Sequence, residues 1–261
     1  MRAVLAALLF LLATAPPARA GAWTLPAGHW QSFSAATTSQ ASVSFASDGA
    51  ATIPTRFKKT LLQNTFEYGL TNYLTLFVTP AYVVADVATG SSPLAHADNT
   101  SVEAGARAML FSRFGKLSLQ GSYKTAGAFD LSVSANHASG RQIELRLLYG
   151  TGFQIDGHDG FFDAQIAQHW IDYPRPNETP IDLSIGLWLT HNTMLMAQSF
   201  NIVSAGDAAP PYTYYRTHKF ELSVVEKLSR HWSLQTGVFF SPAGQNALDE
   251  KGVSIVLWTQ T

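Results

Sequence analysis

The feature that most constrains this chain is a two-residue alternation of apolar and polar side chains that runs on for an unusual length. In FEYGLTNYLTLFVTPAYVV, residues 66–84, the side chains of Leu74, Leu76 and Val78 fall on one face and those of Thr75 and Thr79 on the other. A half-buried strand of a soluble protein spans about 5 or 6 residues, whereas a strand that crosses a membrane spans about 9 to 11. The length of the pattern therefore favours membrane-crossing strands.

The alternation recurs along most of the chain. It returns in VEAGARAML, LSLQGSYK, IELRLLY, IDLSIGLWL, KFELSVV and WSLQTGVFF. In IELRLLY, for example, Ile143 and Leu145 oppose Glu144 and Arg146. In TMLMAQSFN the periodicity does not decide which face Met194 and Met196 occupy. Counted from WQSFSAATT to VSIVLW, the pattern predicts about 12 strands, an even number that returns both ends of the sheet to one rim.

The connections between these segments alternate between short and long. Short turns are predicted near Thr71–Asn72, Arg113–Gly115, His191–Asn192 and Ser229–Arg230. Longer stretches rich in Ser, Ala, Gly, Pro, Asn and Asp lie between them, at residues 42–56, 86–99, 126–140, 172–179, 205–213 and 242–250. The connection within GTGFQIDGHDG is expected to be an exception, a long one on the rim of short turns. This arrangement is typical of outer-membrane barrels, whose periplasmic turns are short and whose extracellular loops are longer.

A sheet in hydrocarbon must close on itself, because no water is present to satisfy an open edge. The sequence therefore predicts an all-β fold, a single transmembrane antiparallel up-and-down β-barrel over residues 21–261. A soluble β-sandwich also alternates and is the alternative.

The first residues predict export. Arg2 precedes the apolar run AVLAALLFLLA, and Pro16–Pro17 and the small-x-small box Ala18–Arg19–Ala20 follow it. We expect residues 1–20 to be a signal peptide, cleaved before Gly21, and the mature protein to reach the outer membrane of a Gram-negative cell. An N-terminal membrane anchor is the alternative.

Composition excludes several classes of function. The net charge is −1, with 17 Lys+Arg against 18 Asp+Glu, which argues against nucleic-acid binding. The chain has no cysteine, so disulfides, thiolate chemistry and cysteine metal sites are excluded. The histidines lack close ligand spacing and no nucleotide fingerprint occurs, so we expect no metal and no cofactor.

Strand parity predicts which side chains line the interior of the barrel. The candidates share the face opposite the lipid-facing stripe, and they are Lys59, Glu67, Glu103, Arg107, Lys124, Glu144, Arg146, Asp163, His169, Asp182, Lys219 and Glu221. Both signs of charge are present. They either pair across strands and plug the bore or line a water-filled passage for polar solutes.

A catalytic interpretation rests on NHASGR, where His137 and Ser139 lie two residues apart and a strand would set a base beside a nucleophile. This pair resembles the His-x-Ser element of outer-membrane phospholipases. The Asn-Gly pattern of those enzymes does not follow Ser139, and no residue that would orient His137 is evident. We therefore predict that the protein is not an enzyme and keep the phospholipase-like hydrolase as an alternative.

Several segments resemble a known family. GAWTLPAGHWQ, FEYGLTNYLTLFVTP, MAQSFN and the stretch from KFELSVVEKL to VSIVLW are similar to transporter-like proteobacterial outer-membrane barrels, nearest to the barrel component of xag-type exopolysaccharide adhesin loci. The resemblance implies a porin-like channel or export component for polar solutes or exopolysaccharide. The implied partners are outer-membrane lipid and lipopolysaccharide, the barrel-assembly machinery, and a polysaccharide or small polar solute. A closed structural or adhesive barrel acting through its extracellular loops is the other alternative.

Overall fold

The computed structural model describes residues 21–89, 91, 94–125, 141–173, 175–205 and 213–261. Its strands are β1 (Trp30–Phe45), β2 (Ala51–Thr71), β3 (Leu74–Thr89), β4 (Ala95–Phe111), β5 (Lys116–Lys124), β6 (Gln142–Ile155), β7 (His158–Ile171), β8 (Glu178–Trp188), β9 (Thr193–Ser204), β10 (Arg216–Lys227), β11 (Trp232–Gln245), β12 (Ala247–Leu248) and β13 (Lys251–Gln260). The predicted signal peptide lies outside the described residues. Within them, no helix is long and apolar enough to cross a membrane.

The strands form one closed antiparallel barrel, because β1 pairs with both β2 and β13. Ala35 of β1 faces Gln63 of β2 on one side and Val256 of β13 on the other. From β2 to β11 each strand pairs with its neighbours in the chain, and β11 then pairs with β13. The short strand β12 adds a two-residue pairing to β1. The prediction of an antiparallel up-and-down barrel with about 12 membrane-length strands is confirmed.

The two rims of the barrel differ, and we call them the turn side and the loop side. On the turn side the connections are residues 72–73, 112–115, 156–157, 189–192 and 228–231. On the loop side, the connections 46–50 and 246–250 are described in full, and the second includes β12. The other strand ends on this side are Thr89 and Ala95, Lys124 and Gln142, Ile171 and Glu178, and Ser204 and Arg216. The first residue of β1 and the last of β13 both lie on the turn side.

Three stretches predicted as long loops are largely strand. In one of them, 242–250, β11 runs to Gln245 and β12 is Ala247–Leu248. β1 continues to Phe45 and β2 begins at Ala51, so the connection predicted at 42–56 is residues 46–50. Similarly, β3 runs to Thr89 and β4 starts at Ala95, inside the predicted loop 86–99. The physical reason in 42–56 and 86–99 is that these two stretches together also contain Val, Ile, Phe and Thr, which favour extended backbone. Polar composition alone therefore does not mark where these strands end.

The connection within GTGFQIDGHDG was predicted to be long, and this prediction is wrong. β6 runs to Ile155 and β7 begins at His158, so only Asp156 and Gly157 connect them. Their φ angles are 49° and 80°, the left-handed pair that a tight two-residue hairpin requires. Asp-Gly is a favoured sequence for this turn. With this connection reduced to two residues, every connection between consecutive strands on the turn side is short.

The outward face carries the apolar stripe. Leu145 and Ile185 are 46% and 47% exposed, whereas their neighbours Glu144 and Ser184 point into the barrel. Met194 and Met196, whose face periodicity left open, are buried inside the barrel against Phe161. The lumen near the turn side is therefore partly apolar.

Candidate functional site: the barrel lumen

The lumen near the turn side holds an ion pair between strands that are not adjacent. Arg107 on β4 donates from Nη2 to Oε1 of Glu67 on β2 at 2.7 Å, across the intervening β3. Gln31 donates to the other Glu67 oxygen at 2.7 Å, and Arg107 Nε donates to Gln120 at 3.1 Å. Gly105 makes room for Phe77 beside this pair, since a Cβ there would lie 2.6 Å from the Phe77 ring. All four polar side chains are buried.

A second group surrounds Arg146. Its guanidinium donates to both oxygens of Glu144, at 2.9 and 2.8 Å, and to Asp182 at 2.7 Å. His169 lies between two carboxylates, with Nε2 2.7 Å from Glu144 and Nδ1 3.1 Å from Glu178. Arg175 also pairs with Glu178, at 3.6 Å, so the group contains three carboxylates, two arginines and one histidine. It is therefore a cross-strand network rather than a set of isolated pairs.

The third group lies on the loop side and contains two lysines and one carboxylate. Lys59 Nζ is 2.7 Å from Glu250 Oε1, and Lys219 contacts the other oxygen. Ser39 donates to Oε1 at 2.5 Å. Burial by itself raises the pKa of Glu250, but the attraction of Lys59 and Lys219 outweighs it and lowers the pKa to about 2. A cavity of about 760 Å³ adjoins Lys59.

The remaining candidates accept or face polar neighbours. Glu103 accepts from Ser122 at 2.7 Å and lies opposite Lys124 in the β4–β5 register. Glu221 accepts from Ser254 at 2.7 Å, and Asp163 accepts from Gln165 at 2.6 Å. A role for these side chains in lining a permeation path stays a prediction.

Two lumenal carboxylates were missed because they lie in stretches predicted as loops. Glu178 opens β8 and has the same parity as Asp182, so continuing that strand backward would have found it. Glu250 lies between β12 and β13. No sequence signal marks Glu250, because its partners Lys59 and Lys219 are far away in the chain.

The chain before β1 enters the barrel from the turn side, and we call residues 21–29 the N-terminal segment. Ala22 donates its backbone N–H to Asp163 at 3.0 Å and accepts from Ser118 at 2.6 Å. Leu25 donates its N–H to Thr75 Oγ1 at 2.8 Å. Both Ala22 and Leu25 are buried. The segment therefore occupies the lumen and is held there by hydrogen bonds to the barrel wall.

The side chain of Trp23 completes the apolar cluster in the lumen. It packs against Phe161, Met194, Met196 and Val225. Its backbone oxygen accepts from Arg107 Nη1 at 3.1 Å, which joins the N-terminal segment to the Arg107–Glu67 pair. Hydrophobic contacts and buried hydrogen bonds thus hold the N-terminal segment inside the barrel near the turn side.

His137 and Ser139, the candidate catalytic pair, lie outside the described residues. Among the residues that are described, no group of three or more His, Asp or Glu side chains is arranged to hold a metal ion.

A scan against family models gives no match, and no curated protein matches the sequence. Solved structures do match. The COG4313 outer membrane channel from Pseudomonas putida F1 is 12% identical, with a TM-score of 0.66 over 94% of this chain and 100% of that one. The translocator domain of the autotransporter NalP from Neisseria meningitidis is 11% identical, with a TM-score of 0.58 over 100% of this chain and 94% of that one. The transport unit of the autotransporter AIDA-I from Escherichia coli is 8% identical, with a TM-score of 0.52 over 97% of this chain and 96% of that one.

The closed sheet, its apolar exterior and its polar lumen define a β-barrel of the outer-membrane class. The described chain has the fold of outer-membrane channels and autotransporter translocators, and at these identities the similarity extends to the fold alone.

Proposed function

We propose that the protein is an outer-membrane channel or export component for polar solutes, with a lumen that the N-terminal segment closes from the periplasmic side. The observation that carries the proposal is that the N-terminal segment lies inside the barrel but is not part of its paired strands. It is held by hydrogen bonds from Ala22 and Leu25 and by packing of Trp23. Such a segment can leave the lumen while the barrel remains paired.

The proposed location and orientation follow from the two rims. Short turns face the periplasm in outer-membrane barrels, so the turn side would be periplasmic and the loop side extracellular. The predicted signal peptide would export the chain, and the barrel-assembly machinery would insert it among outer-membrane lipid and lipopolysaccharide. Exopolysaccharide is a candidate cargo because of the resemblance to the barrel of xag-type loci.

A disulfide between the N-terminal segment and the wall tests the proposal. The sequence has no cysteine, so Leu25→Cys with Thr75→Cys introduces one defined pair at a place where backbone and side chain are 2.8 Å apart. In planar bilayers we expect low conductance in the oxidised protein and higher conductance after reduction. The single-cysteine variants, which cannot form the bond, are the controls and should not respond to the reductant.

The second candidate is a closed structural or adhesive barrel, and burial of the Arg107–Glu67 pair favours it. If the reduced double variant and the parent protein are both folded and neither conducts, the channel proposal fails and the closed barrel is the better interpretation. We propose no enzymatic activity. Hydrolysis of phospholipid that is lost in a Ser139→Ala variant would contradict this.

A further inference from the structure

The lysine pair on the loop side carries more positive charge than its partner neutralises. Among the residues that the structure describes, Glu250 is the one carboxylate in ion-pair contact with either Lys59 or Lys219. Each ammonium group has three N–H donors, and one carboxylate contact leaves two of them on each lysine for another acceptor. The group therefore has an unmatched unit of positive charge inside the barrel.

The wall of the barrel holds both lysines in place. Lys59 Nζ lies 5.9 Å from the centre of the Phe57 ring, and Lys219 Nζ lies 5.7 Å from that of Phe239. At these distances a ring attracts a cation. Glu250 is itself positioned by the hydrogen bond from Ser39. The ammonium groups are thus preorganised, which lowers the entropic cost of binding an anion.

Open space adjoins Lys59. The lining of this cavity of about 760 Å³ includes Ser39, Lys59, Ala85, Phe239 and Gly252, together with the strand neighbours Lys58 and Asp86. Its volume is in the range of about 300 to 1,000 Å³ that small-molecule sites occupy. The side chains of Lys59 and Lys219 keep 17% and 29% of their surface exposed, so a solute can reach them. Asp86, a carboxylate that also lines the cavity, pairs with His96 at 2.7 Å.

We infer that Lys59 and Lys219 form a binding site for the carboxylate or phosphate group of an anionic polar solute that enters from the loop side. This inference rests on the proposed function and narrows its substrate class to anions. Both ligand groups offer several oxygens to the free ammonium donors, and lysine binds them as a compact point charge. Glu250 sets the affinity, because it competes with the solute for the same ammonium groups.

Isothermal titration calorimetry on the full mature chain in detergent tests the inference. The probes are glucuronate for a carboxylate, glucose 6-phosphate for a phosphate and glucose as the uncharged control. We expect both anions to bind, glucose not to bind, and the affinity for the anions to fall as NaCl is added. If only one anion binds, it identifies the ligand group, whereas equal binding of glucose would overturn the inference.

Matched variants localise the binding. Lys59→Gln and Lys219→Gln should each weaken anion binding about tenfold, the effect of losing one charge-assisted contact. Arg230→Gln, in the turn-side connection 228–231 and outside the cavity lining, should leave it unchanged. Glu250→Gln removes the competing carboxylate and should raise the affinity for the anion. Misfolding would lower this affinity, so it cannot explain an increase. Unchanged affinity in all three lumenal variants would overturn the assignment.

The outcome for this site and the outcome for the channel can be told apart. Conductance without anion binding would reject the site and leave the proposed function standing. Anion binding that depends on Lys59 and Lys219 in a barrel that does not conduct would reject the channel and leave a solute-binding barrel.

Discussion

Ala22 donates its backbone N–H to Oδ2 of Asp163 at 3.0 Å, a contact between residues that are 141 positions apart in the chain. The carboxylate is 1% exposed, so water does not compete for it. The backbone of Gly21 lies against the same carboxylate, since a Cβ there would be 2.5 Å from both oxygens. Asp163 therefore anchors the N-terminal segment to β7.

The first prediction concerns this anchor. Asp163→Ala removes the acceptor for a buried N–H. We expect the free energy that holds the N-terminal segment in the lumen to fall by about 1.5 to 3 kcal/mol, the value of a charge-assisted hydrogen bond. Limited proteolysis followed by intact mass should show faster cleavage within residues 21–29. Asp163→Asn keeps an acceptor oxygen and should change the cleavage rate much less. Equal protection in the Ala variant and the parent would show that the anchor is unimportant.

The second prediction uses close packing at a glycine. A Cβ at Gly69 would lie 2.1 Å from the carbonyl oxygen of Pro26, so Gly69→Ala should displace the N-terminal segment and raise conductance in planar bilayers. At Gly121, also in a strand, the nearest atom to a Cβ is 3.9 Å away. Gly121→Ala is the matched control and should behave like the parent. If the Gly69 variant folds and conducts no better than the control, the segment does not close the lumen.

The third prediction tests the two faces of the barrel. Leu145→Arg and Ile185→Arg place a charge in the apolar stripe and should each cost about 2 to 4 kcal/mol of unfolding free energy near mid-membrane. Ser184→Arg, one residue from Ile185 but inside the barrel, should cost far less. Urea unfolding in lipid vesicles measures the difference. Similar losses at residues 184 and 185 would mean that the faces are assigned wrongly.

The fourth prediction concerns the buried ion pair. Arg107→Ala leaves the Glu67 carboxylate buried without its cation, which should cost about 3 to 5 kcal/mol. Lys251 pairs with Asp249 at 4.0 Å on the surface, and Lys251→Ala should cost no more than about 1 kcal/mol. The urea midpoints of the two variants provide the comparison. An Arg107→Ala barrel as stable as the control would mean that water reaches this part of the lumen.

The fifth prediction is a pH dependence at Glu250. Its pKa falls from 4.5 to about 2 on folding, so the folded state binds its proton less readily than the unfolded state does. The resulting stabilisation is complete above pH 4.5 and is lost as the pH falls towards 2. Unfolding midpoints measured across this range should decline less in Glu250→Gln than in the parent. Parallel curves for the two proteins would contradict the assignment.

The sequence by itself determined the class of fold. A two-residue period leaves one choice of face for each side chain, so Leu145 and Ile185 had to face outward once Glu144 and Ser184 faced inward. The same parity selected the charged side chains that are predicted to line the lumen. Parity left the face of Met194 and Met196 open. Both are buried inside the barrel, where Trp23 provides an apolar surface to pack against.

Only the tertiary structure decided which charges meet. Residues 103 and 107 share a face of β4, but they are four positions apart in an extended strand, and the partner of Arg107 is Glu67 across the sheet. Which side chains meet inside the barrel depends on how the sheet closes and how its strands are staggered, and the pattern of a single strand shows neither. The curved sheet also brings other residues that are distant in the chain to the same depth inside the barrel. Examples are the contact of Ala22 with Asp163 and the contacts of Lys59 and Lys219 with Glu250.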